Sequence, residues 1–274
     1  MIFVFTIELD LPSGRKVRIP ELNNRDYLTI LKFCENKDYR GLSVFLNKLY
    51  LEPDLNIFDR FFILIYVRKL FVSNKLMFKG KDDMDVTYSL DDALSKLVDN
   101  YVDVDKDLVC GDITLTVGVP IGLYFDSIDD LYQYTIRTVR FKDTSINFND
   151  LTAEEKRTVL SKLPTSIFLQ LQDYIVDLSN TLFDLTLIEA NSDLDISEVS
   201  VNILGNGVIY FIASILSYDL VYFYETLYHY NHFVSKAGDF FDLTYNETRL
   251  LLKIHSERIE KENEEVKKRE QQNS

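Results

Sequence analysis

The chain opens on a period of two. Phe3, Phe5, Ile7 and Leu9 alternate with Val4, Thr6, Glu8 and Asp10, which gives a strand one apolar face. Pro12, Ser13 and Gly14 supply a turn, and Val17 and Ile19 alternate with Lys16 and Arg18 on the return, so a β-hairpin is predicted. The period then becomes helical. Asn23 or Asn24 can cap a first helix with Tyr27, Ile30, Leu31 and Cys34 on one side. Asp38 can cap a second, with Tyr39, Leu42, Phe45, Leu46 and Leu49. Both faces need an apolar partner, and the next stretch provides it. Phe61 to Val67, FFILIYV, carries no charge; Asp59, Arg60, Arg68 and Lys69 stand at its ends. A helix apolar all round must be buried on all sides, and this one is too short to span a bilayer, so it is predicted to be the central core helix.

Further along, Leu76, Phe78, Val86 and Tyr88 flank Gly80 and Lys81, which predicts a second hairpin leading into a helix from Leu90. Asp112–Gly118 alternates as a strand, and Thr135–Phe141 is read as another. From Leu151 the pattern is helical. Thr152 and Glu155 form a capping box ahead of Val159, Leu160 and Leu163. Pro164 ends that helix and begins the next, whose Ile167, Leu171, Tyr174, Ile175 and Leu178 continue towards Leu187. A polar break at Asn191–Asp195 precedes a strand-like Ser200–Leu204 and a turn at Gly205, Asn206 and Gly207. Helices Ile209–Leu216 and Leu220–Val234 follow. A last helix begins after Gly238, with Thr244 and Glu247 as its cap; its Leu250, Leu251, Ile254 and Ile259 give way to a charged end. There Glu257 with Lys261, Glu264 with Lys268 and Glu265 with Arg269 stand at i, i+4, as in a single solvated helix or in a coiled-coil or partner-docking segment. The fold class is therefore α+β and mainly helical. It divides into an N-terminal hairpin with a three-helix module (1–80), a β-containing middle (81–150) and a helical part ending in a charged helix (151–274), a division compatible with packing as one domain.

Charge changes this picture in one place. Between Asp82 and Asp130 there are 13 Asp and no Glu, against only Lys96 and Lys106, so most of the net charge of −14 sits in the middle segment. An acidic chain is repelled by nucleic acid phosphates and anionic lipid, and a basic protein partner fits better. Aromatic residues are numerous, 19 Phe and 17 Tyr without Trp, which suits contact surfaces as well as cores. Cys34 and Cys110 are far apart and outside any CxxC, so both are expected as buried free thiols of a reducing compartment. No basic region precedes the apolar start, so no signal peptide is expected, and no segment is expected to reach membrane-spanning length.

Candidate chemistry is sparse. Glu225, His229 and His232, at i, i+4 and i+7, share a helix face and could hold a divalent metal, but the spacing is not HExxH and no fourth ligand is indicated. Asp103, Asp105 and Asp107 open like a calcium loop, yet the sixth position is Leu108 where Gly is needed and the twelfth is Thr114 where Glu should chelate. A solvated acidic loop, or an acidic face for a basic partner, accounts for them better. Gly205 and Gly207 lack the Lys and Ser or Thr of a phosphate loop, and no GxSxG occurs.

Four segments together carry a resemblance: Leu11–Phe33 (LPSGRKVRIPELNNRDYLTILKF), Phe58–Gly80 (FDRFFILIYVRKLFVSNKLMFKG), Leu151–Pro164 (LTAEEKRTVLSKLP) and Tyr245–Asn263 (YNETRLLLKIHSERIEKEN). They resemble the family of T4-type bacteriophage baseplate hub subunits, although the acidic run Asp99–Asp107 has no counterpart there. The resemblance implies a non-enzymatic late viral protein, a structural subunit or assembly chaperone of the central hub, found in the host cytoplasm during assembly and in the tail baseplate. Its partners would be other tail or hub proteins, with no nucleic acid, membrane, small-molecule substrate or cofactor, and it carries over no catalytic residue. The rival readings are a chaperone for a tape-measure or other extended viral protein, absent from the finished particle, and a metal-dependent enzyme built on Glu225, His229 and His232. Partner contact is expected at Pro12, Ser13, Gly14 and Arg15, at Asp103, Asp105 and Asp107, and along the Ser256–Ser274 helix that holds Glu257 and Arg258.

Overall fold

The computed structural model describes residues 6–79, 85–102, 105–182, 185–189, 198–217, 220–234 and 239–272. Strands β1 (Thr6–Asp10) and β2 (Lys16–Pro20) pair antiparallel, with Leu9 opposite Val17 and Ile7 opposite Ile19. Their turn passes through Gly14 at φ +79, a backbone conformation that glycine adopts without a Cβ penalty. Helices α1 (Asn24–Glu35) and α2 (Tyr39–Tyr50) start at the expected caps: Asn23 accepts the Asp26 N–H at 2.8 Å and Asp38 the Gly41 N–H at 2.9 Å.

Helix α3 (Ile57–Phe71) is capped by Asn56, which accepts the Asp59 N–H. Its burial goes further than the apolar run indicates, because Asp59, Arg60 and Arg68 are buried with it. Each is engaged. Asp59 Oδ1 accepts the Ser13 N–H at 3.1 Å. Arg60 donates to the carbonyls of Leu55, Glu52 and Pro53 and to Asn47 Oδ1, between 2.6 and 3.0 Å. Arg68 donates to the carbonyls of Ile215 and Ser73, both at 2.6 Å. Buried guanidinium groups persist when their donors are satisfied, and here they tie α3 to the loops at both of its ends.

The second hairpin is present as β3 (Lys75–Lys79) and β4 (Asp85–Ser89), although its Gly80–Lys81 tip lies outside the described residues. Ser89 caps α4 (Leu90–Asp99), which lies along α3. The middle segment forms a four-stranded antiparallel sheet in the order β5 (Lys106–Cys110), β6 (Ile113–Val117), β7 (Ile136–Phe141), β8 (Thr144–Asn147). The sequence marks β6 and β7 but not β5, β8 or the eight-residue helix α5 (Ile128–Thr135). In β5 only Leu108 is buried, and in β8 no residue is, so neither edge strand has an apolar row to read.

Helix α6 (Ala153–Lys162) carries the expected capping box. The Thr152 N–H donates to Glu155 Oε2 at 2.8 Å and the Glu155 N–H to Thr152 Oγ1 at 3.3 Å. Because α6 fully buries no side chain, its cap holds much of what stabilises it. Thr152→Ala is expected to cost about 1 kcal/mol in urea unfolding, and no measurable loss would mean the cap is replaced by solvent.

Helix α7 (Thr165–Leu182) buries Ile167, Leu171, Tyr174, Ile175 and Leu178 as expected. Its predicted continuation to Leu187 is corrected: Leu185–Ile188 is strand β9, paired with β10 (Val199–Val201). Leu185 and Leu187 alternate there with Thr186, a strand period that the longer helical pattern masks. The strand expected over Ser200–Leu204 ends early, because Asn202 Oδ1 accepts the N–H groups of Leu204 and Gly205 and starts a turn.

Helices α8 (Gly207–Leu216), α9 (Leu220–Phe233) and α10 (Tyr245–Gln272) complete the chain. Helix α8 packs on α1, α2 and α3, with Phe211 edge-on to Phe61 at 5.7 Å between ring centroids. One expectation needs correction: by length and composition, Gly207–Phe233 is apolar enough to cross a membrane. In this fold its first half, α8, is core, with Val208, Ile209, Ile212, Ile215 and Leu216 buried. The two ends of the chain also meet. Asn24, fully buried, donates to Phe240 O at 2.8 Å and Thr248 Oγ1 at 2.7 Å, and its N–H bonds Leu243 O. One continuous core draws on the hairpin, the middle segment and the last helices. Among the described residues helix makes up 58% and strand 20%, and the strand pairs are antiparallel, so the class is α+β and mainly helical.

Candidate functional site

The Pro12–Arg15 turn is held against the body of the protein. Leu11 and Gly14 close it by backbone hydrogen bonds, and Ser13 hangs from the buried Asp59. Arg15 forks between Glu52 and Asp54, 2.9 Å from each. All three side chains are well exposed, so these pairs contribute little to stability and are free to exchange for a partner's carboxylates.

The acidic group is arranged differently from the expected loop. Asp103 lies outside the described residues. Asp105 and Arg137 close together over Gly118, where a Cβ would come within 2.1 Å of Asp105 Oδ1. Asp107 belongs to β5 and accepts a hydrogen bond from Thr116 Oγ1 at 2.7 Å. Lys106–Thr114 is a strand, a turn and the start of a second strand, so the calcium-loop frame is not built. A short strand with one buried residue and alternating charges reads as loop from the sequence, which explains the difference.

The Glu225, His229 and His232 face is split. Glu225 and His229 line a groove of about 540 Å³ between α9 and α10, closed on the other side by Leu252, His255 and Ile259. His232 instead packs on the Tyr228 ring at 4.1 Å, with Nδ1 3.2 Å from Tyr228 O. Among the described residues no three His, Cys, Asp or Glu side chains converge as metal ligands. His255 stands outside every pattern read from the sequence; its ring stacks on Phe233 while Phe233 stacks on His229. Its Nε2 is buried without a hydrogen-bond partner among the described residues, an orphaned polar atom in this groove.

Both cysteines are free but only half-buried, not fully as expected. Burial nevertheless pushes the Cys34 thiol up to about 12. It stays protonated at pH 8, so a thiol reagent should label it only after denaturation; labelling of Cys34 in the native protein would show that the helix α1 face opens readily.

Large exposed apolar side chains concentrate on the last two helices: Val221, Tyr222, Tyr224, Tyr228 and Phe233 on α9, and Leu250, Ile254, Ile259 and Val266 on α10. Scattered single residues of this kind are ordinary, whereas Tyr222, Phe233 and Ile259 line one groove between the two helices, an apolar surface of the sort used in contacts. From Ser256 to Lys267 every side chain of α10 is exposed. Its ion pairs include Lys253–Glu257 at 3.8 Å and Arg258–Glu262 at 3.5 Å, so Glu257 pairs back along the helix to Lys253, where forward pairing to Lys261 was expected.

No curated protein and no solved structure matches this chain. A family model does, over residues 4–188, a span that takes in three of the four segments that carry the resemblance and leaves out Tyr245–Asn263. That span is more than half of the chain and runs from the hairpin through α3 and the acidic sheet to β9; the protein belongs to the T4 bacteriophage base plate protein family.

Proposed function

We propose that this baseplate protein is a non-enzymatic structural subunit of the central hub, working through contacts with other tail proteins. The observation that carries the reading beyond the family is the exposed apolar and aromatic surface of α9 and α10, beside an α10 end that leaves the body of the protein. Aromatic side chains with an apolar body and a polar edge are enriched at the centres of protein interfaces. The Arg15 turn, the Asp105–Asp107 edge and the α10 end offer charged rims, and the acidic total favours a basic partner over nucleic acid or lipid.

The test is quantitative mass spectrometry of density-purified particles against infected-cell lysate. A fixed small copy number in particles supports the subunit reading. Abundance in lysate with absence from particles overturns it in favour of an assembly chaperone acting in the host cytoplasm, for the hub or for an extended tail protein.

Deleting residues 256–274 gives a narrower result. The side chains from Ser256 to Lys267 are exposed, so the thermal midpoint should stay unchanged while recovery of tail partners from lysate falls. Unchanged recovery would remove the α10 end from the contact surface.

A further inference from the structure

We infer that the groove between α9 and α10 seats an arginine side chain of a partner protein, carried on the apolar face of an amphipathic helix. The inference rests on the reading of these two helices as a contact surface and names what they hold.

The groove's walls select the side chain. Thr226 is buried and Leu252 and His255 are half-buried, so they form its floor, while Glu225, His229, Ser256 and Glu260 are exposed along its sides. The lining thus holds two carboxylates and no Lys or Arg. Lys253 and Arg258 of α10 pair with Glu257 and Glu262, and neither Glu225 nor Glu260 has an ion-pair partner among the described residues. The floor adds acceptors. The Thr226 hydroxyl donates to Tyr222 O at 2.8 Å, which leaves its oxygen to accept. His255 Nε2, buried and unpartnered, accepts a hydrogen bond when the neutral ring carries its proton on Nδ1.

An anion is opposed by both carboxylates, and a wholly apolar occupant would cover Glu225, Glu260 and His255 Nε2 without offering a donor. A guanidinium meets all of these demands. Its N–H groups serve several acceptors from one plane, where a lysine ammonium acts as a single point, and its apolar stem lies along Phe233, Leu252 and Ile259. The surface beyond the groove extends the contact. Helix α9 ends at Phe233, while Val266 stands seven residues after Ile259, about 10 Å farther along α10 at 1.5 Å per residue, and is likewise exposed. A helix laid there rests its apolar face on Ile259 and Val266 and points its arginine into the groove.

Calorimetric titration of the full chain tests this, with a blocked amphipathic peptide of leucine, alanine and arginine, and with the same peptide carrying citrulline in place of arginine. The arginine peptide should bind at least about tenfold more tightly, the worth of a hydrogen-bonded charge, and shift the His255 ring signals in NMR spectra. Glu225→Gln with Glu260→Gln should abolish that advantage. Glu257→Gln with Glu262→Gln removes the same charge from exposed positions outside the groove and should preserve it. All four side chains are exposed, so the thermal midpoint should not move in either variant. No binding of the arginine peptide overturns the inference. Equal binding of the citrulline peptide, which would mark the groove as a seat for any apolar helix, overturns it as well. So does an equal loss in the two double variants, which would reduce the effect to diffuse attraction by an acidic chain. Absence of the protein from finished particles overturns the subunit reading but leaves these affinities untouched, so the two failures are distinct.

Discussion

A chain ending at Ile188 is expected not to fold, although it contains the whole of the matched family region. The reason lies in what covers α3. Helix α8 supplies Val208, Ile209, Ile212, Ile215 and Leu216 to the core, all buried. At roughly 1.5–3 kcal/mol for each large apolar side chain, their removal costs on the order of 10 kcal/mol, comparable to the whole stability of a typical domain. The same cut takes away β10 from β9, the Ile215 carbonyl from Arg68, and the Phe240 carbonyl and Thr248 hydroxyl from Asn24. It also strips Tyr27 of Phe223 and Tyr245, whose rings lie 6.1 and 5.3 Å away. The buried Asn24 amide would lose both acceptors of its side chain, and Arg68 would lose one of the two carbonyls it bonds, which is worse than an apolar void. The 1–188 fragment should be aggregation-prone, bind a hydrophobic dye and show no cooperative thermal transition. A sharp, reversible melt of that fragment would show instead that residues 189–274 are an addition to a self-sufficient core.

What made α3 legible was its monotony. A run such as FFILIYV has no polar face, so its place in the middle of the fold follows from the sequence alone. The caps were legible for a related reason: Asn23, Asp38, Thr152 and Thr244 act on backbone N–H groups three residues away, within the reach of a local pattern. The structure departs from the sequence reading where a residue's partner is remote. Arg15 meets Glu52 and Asp54, 37 and 39 positions on, and Arg68 meets Ile215, 147 positions on. Nothing in the local pattern distinguishes these charges from solvated ones. Edge strands were missed for the complementary reason: β8 is exposed along its whole length, so hydrogen bonds to β7, and not an apolar row, define it. The contact surfaces were legible as positions and charges. The groove between α9 and α10 was not, since it needs Phe233 and His255 to meet across a loop.

Replacing Arg60 is expected to be the most damaging single change at a charged position. Its guanidinium is the hub of the α2–α3 connection, with four donors committed to Leu55 O, Glu52 O, Pro53 O and Asn47 Oδ1. Burial pulls its pKa down to about 10, which still leaves it charged at neutral pH. Methionine would fill the space but abandon three backbone carbonyls, so Arg60→Met should lose about 3 kcal/mol in urea unfolding, within the usual cost of stranding buried acceptors of a charged donor. Lysine keeps the charge but not the planar fork, and one ammonium cannot reach four acceptors spread around a guanidinium; about 2 kcal/mol is expected for Arg60→Lys. The consequence extends to the surface. The loop that Arg60 clamps carries Glu52 and Asp54, the two partners of Arg15, and the adjacent Asp59 holds the Ser13 N–H. Amide exchange at Ser13 should therefore accelerate in Arg60→Met more than exchange in the α7 interior. A loss below about 1 kcal/mol, with unchanged exchange at Ser13, would mean that water replaces the guanidinium and that the hairpin turn is positioned without it.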